Sequence, residues 1–193
     1  SLYWLEEADS TGASEAVSAR RLIRQRVDGL SLPEPVPVAL ERPHTFAFSP
    51  DGTTMAVSFG GEAAHRLALV SLPDGRVRTM AGRPAQDLVQ AVFSPDGRWL
   101  AYTARVANEY EVHVAPTDSI QLAVPVSVDG GNAPMWAADG RTLLYSSRTH
   151  MMAAQLGLAA TVSVTARKEL FVNVYRGGAA DRNYDYDRRA GAF

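Results

Sequence analysis

The pentapeptide Phe48-Ser49-Pro50-Asp51-Gly52 returns as Phe93-Ser94-Pro95-Asp96-Gly97 and, eroded, as Trp136-Ala137-Ala138-Asp139-Gly140. The aromatic positions stand 45 and then 43 residues apart, a period at which one small β-sheet is repeated around an axis. The pentapeptide is a turn with a mechanism. Pro50 presets the backbone at the second position, Ser49 and Asp51 can bond nearby amides, and Gly52 takes the left-handed angle that reverses the chain.

Between these turns the chain reads as short strands. In the first whole unit they fall at Thr45–Phe48, Met55–Phe59, Leu67–Ser71 and Val77–Met80, with Gly60-Gly61 opening a loop and Pro73-Asp74-Gly75 turning again. The second unit repeats the plan with Val89–Phe93, Trp99–Thr103, Glu111–Ala115 and a strand near Leu122–Val126. In the third, the strands expected are Pro134–Trp136, Thr142–Ser146, Met151–Gln155 and one near Leu170–Val174, although Ala153 to Ala160 carries helical propensity. Asn183-Tyr184-Asp185-Tyr186 reads as the first strand of a further unit.

The N-terminal stretch is an incomplete unit. Leu2–Glu7 suits a strand and Ala8–Ser14 a loop; Arg20–Val27 admits a helix but fits a strand better, because the hairpin signal Asp28-Gly29 follows it. Prolines 33, 35 and 37 forbid helix and allow an edge strand through Val36, Val38 and Leu40. The unit boundaries expected are 1–43 (partial), 44–84, 85–130, 131–176 and 177–193. The opening Ser1-Leu2-Tyr3-Trp4-Leu5 reads as the middle of a structured unit, as in a processed product or a piece of a longer protein.

Composition excludes several classes. With 46% hydrophobic residues in 193 the chain can bury a substantial core. A formal net charge of −2 gives no general attraction for nucleic acid or anionic lipid. There is no cysteine, hence no disulfide, thiolate metal site or cysteine nucleophile. No run of about 18 apolar residues spans a bilayer. Nucleophile-elbow, zinc-protease, P-loop and dinucleotide glycine patterns are missing, so no catalytic residue and no cofactor is assigned.

The pattern Phe/Trp-Ser-Pro-Asp-Gly-x-x-Leu-Ala-Tyr, carried by Phe48 to Val57, Phe93 to Tyr102 and Trp136 to Tyr145, resembles the WD40-like (PD40) repeat of TolB-type β-propellers. Met151-Met152-Ala153 and Asn183-Tyr184-Asp185 are similar to the closing blades of propellers attached to bacterial serine/threonine kinases. The resemblance covers roughly residues 44 to 193, and the Ser-Pro-Asp turn is lost at Ala137-Ala138 and at Asp187-Arg188-Arg189. It implies an all-β propeller of four-stranded antiparallel blades; the strands of this chain count to about four blades, forming either a closed ring or an arc of a larger one. Closure would pair a strand near Tyr184 with Leu2–Leu5. The resemblance further implies a protein-interaction or sensory module, commonly periplasmic or extracellular, with no activity of its own.

His44, His65, His113 and His150 fall in separate units without ligand spacing. Asp181 to Asp187 places oxygen-bearing residues alternately, as a calcium loop begins, but lacks its glycine and its closing glutamate. Arg20, Arg21, Arg24 and Arg26 could make a local anion site, but three of them, Arg20, Arg24 and Arg26, share one strand face and read as a solvated edge, with Glu6 and Glu7 on the neighbouring strand. Trp4, Trp99 and Trp136 read as packing between blades.

The remaining candidate is the mouth where the loops leading into each innermost strand converge, opposite the Ser-Pro-Asp-Gly turns. It carries Arg42, His44, Gln86, Asp87, Asp129, Asn132, Asp181 and Arg182. The function expected is a non-catalytic scaffold for a protein or peptide partner, with neither nucleic-acid binding nor membrane insertion. Two rivals are an accessory propeller gating a peptidase or hydrolase encoded elsewhere, and a structural subunit assembling through open blade faces; a homo-oligomer is expected if the ring does not close within the chain.

Overall fold

The computed structural model describes residues 1–7, 20–28, 30–38, 40–61, 64–72, 74–80 and 87–172. They form four separate antiparallel sheets, each a meander. The first contains β1 (Leu2–Glu7), β2 (Arg20–Gln25) and β3 (Glu34–Pro35). The second contains β4 (Pro43–Phe48), β5 (Thr54–Gly61), β6 (Ala64–Ser71) and β7 (Val77–Met80). The third contains β8 (Asp87–Phe93), β9 (Trp99–Val106), β10 (Glu109–Pro116) and β11 (Val124–Pro125). The fourth contains β12 (Asn132–Trp136), β13 (Thr142–Ser146), β14 (His150–Leu158) and β15 (Val162–Val172).

The repeated turn joins the first and second strands of each four-stranded sheet, and its side chains do what the sequence predicts. Ser49 Oγ accepts the Thr54 amide at 2.9 Å and donates to Asp51 Oδ1 at 2.6 Å, which also accepts the Thr53 amide at 3.0 Å. Ser94 and Asp96 repeat this with Trp99 and Arg98 at 3.0 and 3.1 Å. Where Ala137 has replaced the serine, Asp139 takes over both amides, Arg141 at 2.9 Å and Thr142 at 2.8 Å, and accepts the Thr142 hydroxyl as well. The eroded repeat therefore keeps its geometry by moving one acceptor. Gly52, Gly97 and Gly140 all have φ between 65° and 72°, the left-handed region that glycine enters without cost. Successive turns touch: a Cβ on Gly97 would lie 3.6 Å from the Pro50 ring, and one on Gly140 would lie 3.7 Å from Pro95.

Sheets pack face to face in chain order. Met55, Val57 and Val70 meet Leu22, Tyr3 and Leu5. Ala56, Leu67 and Leu69 meet Leu88, Leu100 and Tyr102, and Trp99, Ala101 and Val112 meet Trp136, Leu143 and Tyr145. The second and third sheets are covered on both faces, so β5 and β9 are buried almost throughout and read as apolar runs without alternation; β13 is buried as well. Trp99 and Trp136 are 4% and 1% exposed, in the packing role expected of them. Magnitudes rank the two devices. A net turn hydrogen bond contributes about 1 kcal/mol, whereas truncating a buried tryptophan costs about 3–5 kcal/mol, so the turns set register and the seams supply stability.

Several expectations are corrected. Arg20–Gln25 is a strand, and Glu6 and Glu7 do stand opposite Arg21 and Arg20, but Arg24 pairs with Glu34 on β3, its Nε lying 3.0 Å from the carboxylate. The edge strand stops at Pro35. Beyond it Val38 N–H bonds Val36 O at 2.8 Å and Leu40 N–H bonds Val38 O at 2.9 Å, a tight path that the prolines impose while the three apolar side chains enter the core. Gly60 and Gly61 remain in β5. The strand near Leu122–Val126 is a 3₁₀ turn, Ile120–Leu122, followed by two paired residues ending at Pro125. Ala153–Ala160 yields no helix. Burial of Ala154 and Leu156 against the third sheet overrides propensity, so β14 runs to Leu158, and its partner begins at Val162, eight residues before Leu170. The strand at Asn183–Tyr186 and ring closure onto Leu2–Leu5 lie outside the described residues.

The turn aspartates generate an acid-limb prediction. Ser49 and the Thr53 amide hold Asp51 below the ordinary carboxylate range. For Asp96 and Asp139 burial acts upward, but hydrogen bonds from Ser94 and the Arg98 amide, and from Thr142 and the Arg141 amide, outweigh it and hold them below that range too. A carboxyl group depressed in the folded state contributes stability that is complete above its unfolded value, near 3.9. That stability is lost as pH falls through the lower folded value. Asp139→Asn is therefore expected to flatten the fall in unfolding free energy between about pH 5 and pH 2. Urea titrations across that range check it, and an unaltered acid limb would contradict it.

Candidate functional site

Strand direction fixes two ends. β4, β8 and β12 all run toward the Ser-Pro-Asp-Gly turns or the eroded version of them. The opposite, mouth end therefore gathers Arg42, Asp87, the Ala107-Asn108 hairpin, Val128–Gly131 and the Ser147–Thr149 hairpin. Ala107 and Asn108 have φ of 47° and 76°, the pair of left-handed residues that a two-residue hairpin requires.

At the mouth the seam between the second and third sheets is closed by three side chains. Asp87 Oδ1, at the start of β8, accepts the His65 backbone amide at 2.9 Å and lies 2.6 Å from His65 Nδ1. The His44 ring stacks on His65 with centroids 4.5 Å apart and planes 20° apart. The His65 and Asp87 side chains are 18% and 14% exposed, shielded enough that the pair is held in place yet still open to solvent on one side. At the next seam Arg148 bonds Glu109 across the two hairpins, and Arg105 bonds Asn108 within one.

A second polar group runs along the inner strands just inside this mouth. Each of β4, β8 and β12 carries a bulge, and Gln90 and Ala133 in two of them have φ of 54° and 51°. Such residues turn their amides out of the ladder. Gln90 N–H goes to Thr45 Oγ1 in the preceding sheet at 3.3 Å, and Ala133 N–H goes to Gln90 Oε1 at 2.9 Å. In each seam a hydroxyl on the neighbouring strand steadies the acceptor: Thr45 Oγ1 lies 2.6 Å from Ser58 Oγ, and Thr103 Oγ1 donates to Gln90 Oε1 at 2.9 Å. Ser58 and Thr103 are 1% and 0% exposed. The Ala133 amide fixes which end of the Gln90 carboxamide is oxygen, and Nε2 is buried with no partner among the described residues.

The sequence-derived mouth is thus partly assembled. The structure joins His44 and Asp87 through His65. Arg42 belongs to the same rim, its guanidinium 3.7 Å from where a Cβ on Gly61 would lie. Asp129 is exposed, with φ of 58°, and Asn132 pairs with Ser146 at the start of β12. Among the described residues no hydrogen bond ties Asp129 or Asn132 to the histidine pair. Gln86, Asp181 and Arg182 lie outside the described residues. Sequence reading missed His65, Gln90, Ser58 and Thr103. The repeat itself held the signal, because Thr45 and Gln90, and Ser58, Thr103 and Ser146, recur at the same 45- and 43-residue steps as the turn.

Among the described residues no group of three or more His, Asp or Glu is placed to hold a metal ion. One cleft of about 540 Å³ lies at the turn end between Arg78, Arg98, Trp99, Leu122 and Ala160. Another, of about 530 Å³, lies beside Arg24, Arg26 and Glu34. Both are remote from the converging loops.

No protein-family model matches the sequence, and no curated protein matches it. Solved structures do. TolB from Acinetobacter baumannii matches with a TM-score of 0.59 at 14% identity, over 79% of this chain and 37% of that one. A TolB-type protein from Agrobacterium tumefaciens matches with 0.59 at 13% identity, over 88% and 62%. A puromycin-hydrolyzing peptidase from Mycobacterium tuberculosis matches with 0.59 at 14% identity, over 81% and 28%. At such identities the likeness shows the fold, a β-propeller of antiparallel blades, and this chain spans less than two thirds of the length of each of these structures.

The inner staple is open to direct test. Gln90→Ala removes the acceptor for two donors, the Ala133 amide and the Thr103 hydroxyl, and is expected to lower the unfolding free energy by about 2–4 kcal/mol. Thr103→Val removes a donor together with its bond and should cost about 1 kcal/mol or less. Denaturant titration of both variants checks the order, and equal costs would mean that Gln90 is not the shared acceptor.

Proposed function

We propose that this chain is a non-catalytic β-propeller scaffold that takes a protein or peptide partner at its mouth end, as the sensory or docking module of a larger bacterial protein. The observation that carries the reading is the His44–His65–Asp87 group. It places an imidazole pair and a carboxylate from two blades on one rim, shielded enough to be ordered and open on one side. Ordered polar side chains on converging loops, backed by a rigid packed seam, are how a propeller presents specificity. The absence of nucleophile motifs from the sequence supports a binding role, as does the resemblance of the repeat to WD40-like (PD40) propellers. The same resemblance supports a periplasmic or extracellular setting.

A second reading has one observation in its favour. The match to a peptidase covers 28% of that enzyme's chain, which is consistent with this propeller acting as an accessory domain that controls access to a hydrolase encoded outside the sequence. The full reading frame separates the two by showing what flanks the propeller.

Photo-crosslinking tests the mouth. A benzophenone side chain placed at Asp129, exposed at the mouth, is expected to capture the partner, whereas one at Arg98, exposed at the turn end, is not. With the captured partner in hand, Asp87→Ala and Arg182→Ala should each weaken binding roughly tenfold, about 1.4 kcal/mol. Adducts formed only at Arg98, or affinities unchanged in both variants, would remove the mouth as the site.

A further inference from the structure

Most of the described arginines are already occupied within the fold. Arg24, Arg26, Arg76 and Arg148 are ion-paired with Glu34, Asp28, Asp74 and Glu109. Arg78 and Arg167 donate to backbone carbonyls of the third sheet, and Arg98 and Arg141 stand beside the turn aspartates Asp96 and Asp139. Arg42 and Arg66 differ. Neither guanidinium has a carboxylate or carbonyl acceptor among the described residues.

Both groups lie at the mouth end of one face of the second sheet. Arg66 is exposed, and its guanidinium carbon sits 4.7 Å from the ring centre of Phe59, its cross-strand partner. Arg42 Nη1 comes within 3.7 Å of where a Cβ on Gly61 would lie. Phe59 and Gly61 are two residues apart on β5, so they share a face and stand about 7 Å from each other. Further along β5 this is the face that Met55 and Val57 pack against the first sheet. Gly60, between them, pairs with His65 and belongs to the other face, where Asp87 is bonded to His65. In the first sheet Glu6 and Glu7 stand opposite Arg21 and Arg20.

Each guanidinium is also held in place. The Phe59 ring fixes Arg66 by a cation–π contact. Arg42 has a φ of 48°, a left-handed backbone that an ordinary residue adopts only at a cost, and its carbonyl shares the Gly60 N–H with Glu41 O, at 3.3 and 3.0 Å. Two planar, positioned groups with donors to spare lose little freedom on meeting an acceptor.

We propose that Arg42 and Arg66 form a clamp for one acidic side chain of the partner, whose carboxylate lies between the two guanidinium groups and accepts charge-assisted bonds from both at about 2.7–2.9 Å. This rests on the reading of the mouth as the partner site and names what the partner has to carry. Gly61 is part of the clamp, because Arg42 lies across the space that a larger side chain would fill.

A capped peptide, acetyl-Ala-Glu-Glu-Ala-amide, titrated into the whole chain and followed by NMR of the arginine Nε–H groups, tests the clamp. The Arg42 and Arg66 signals are expected to move, and the Gln-Gln counterpart should leave them in place. Arg42→Gln and Arg66→Gln should each weaken binding about fivefold. Gly61→Val, which keeps both charges, should weaken it as much, whereas Arg98→Gln, an equal change in net charge at the turn end, should have no effect. Equal binding of the two peptides overturns the proposal, as does an indifferent Gly61→Val or an equal loss in Arg98→Gln. Glu62, next in sequence, lies outside the described residues; a tenfold gain in Glu62→Gln would mean that the chain fills its own clamp, and would overturn it too. Tetra-alanine with a free C-terminal carboxylate should bind more weakly than the acidic peptide, and the reverse order would replace the acidic side chain with a chain terminus. If Asp129 captures a partner while the peptide fails, the clamp falls and the mouth stands.

Discussion

A bulged strand has a donor that its own sheet cannot satisfy, and the seams of this protein are organised around that fact. Gln90 and Ala133 each hold a left-handed backbone in the innermost strand, and each turns its amide toward the preceding sheet. In a buried location an unmet amide costs about 1–3 kcal/mol. The preceding sheet therefore has to supply an acceptor at one defined place, and Thr45 and Gln90 do so, steadied by Ser58 and Thr103. The apolar faces bring the sheets together without direction, whereas this bond fixes how far one sheet slides along the next. The Pro50–Gly97 and Pro95–Gly140 contacts at the turn end have the same effect by shape.

What was legible in the sequence was whatever depended on local chemistry. Turns made by Ser-Pro-Asp-Gly could be placed because proline, glycine and an acceptor oxygen act within four residues, and even the eroded copy at Ala137 could be located from Asp139 and Gly140. What escaped was set by tertiary burial. Ala153 to Leu158 has helical composition, but Ala154 and Leu156 are buried against the third sheet while Gln155 is exposed, so it is strand. Val36, Val38 and Leu40 alternate as a strand would, yet follow a tight path between prolines. At the mouth, topology places His44 and Asp87, but His65, which joins them, comes from β6, two strands away from the β4 that carries His44. No sequence spacing announces that contact. A glutamine in an apolar run reads as an exposed residue, and only alignment of the repeats shows that Gln90 takes the place of Thr45.

The two ends of the molecule are built from different materials. The turn end is short, backbone-dominated and pinned by carboxylates that serve their own loops. The mouth end is made of side chains that reach across seams: His65 to Asp87, Arg148 to Glu109. A change in sequence at the turn end is felt as lost register, while one at the mouth alters what the surface presents and leaves the sheets in place. That division lets a propeller vary its partner while keeping its frame.

The staple of the inner strands also has an order in time. Thr45 precedes Gln90, and Gln90 precedes Ala133, so as the chain is made from its N-terminus every acceptor exists before the amide that will need it. A hydroxyl or carboxamide waiting in water is fully solvated and loses nothing by waiting. The strained, outward-turned amide enters only with the blade whose packing will bury it, when its partner is already in place.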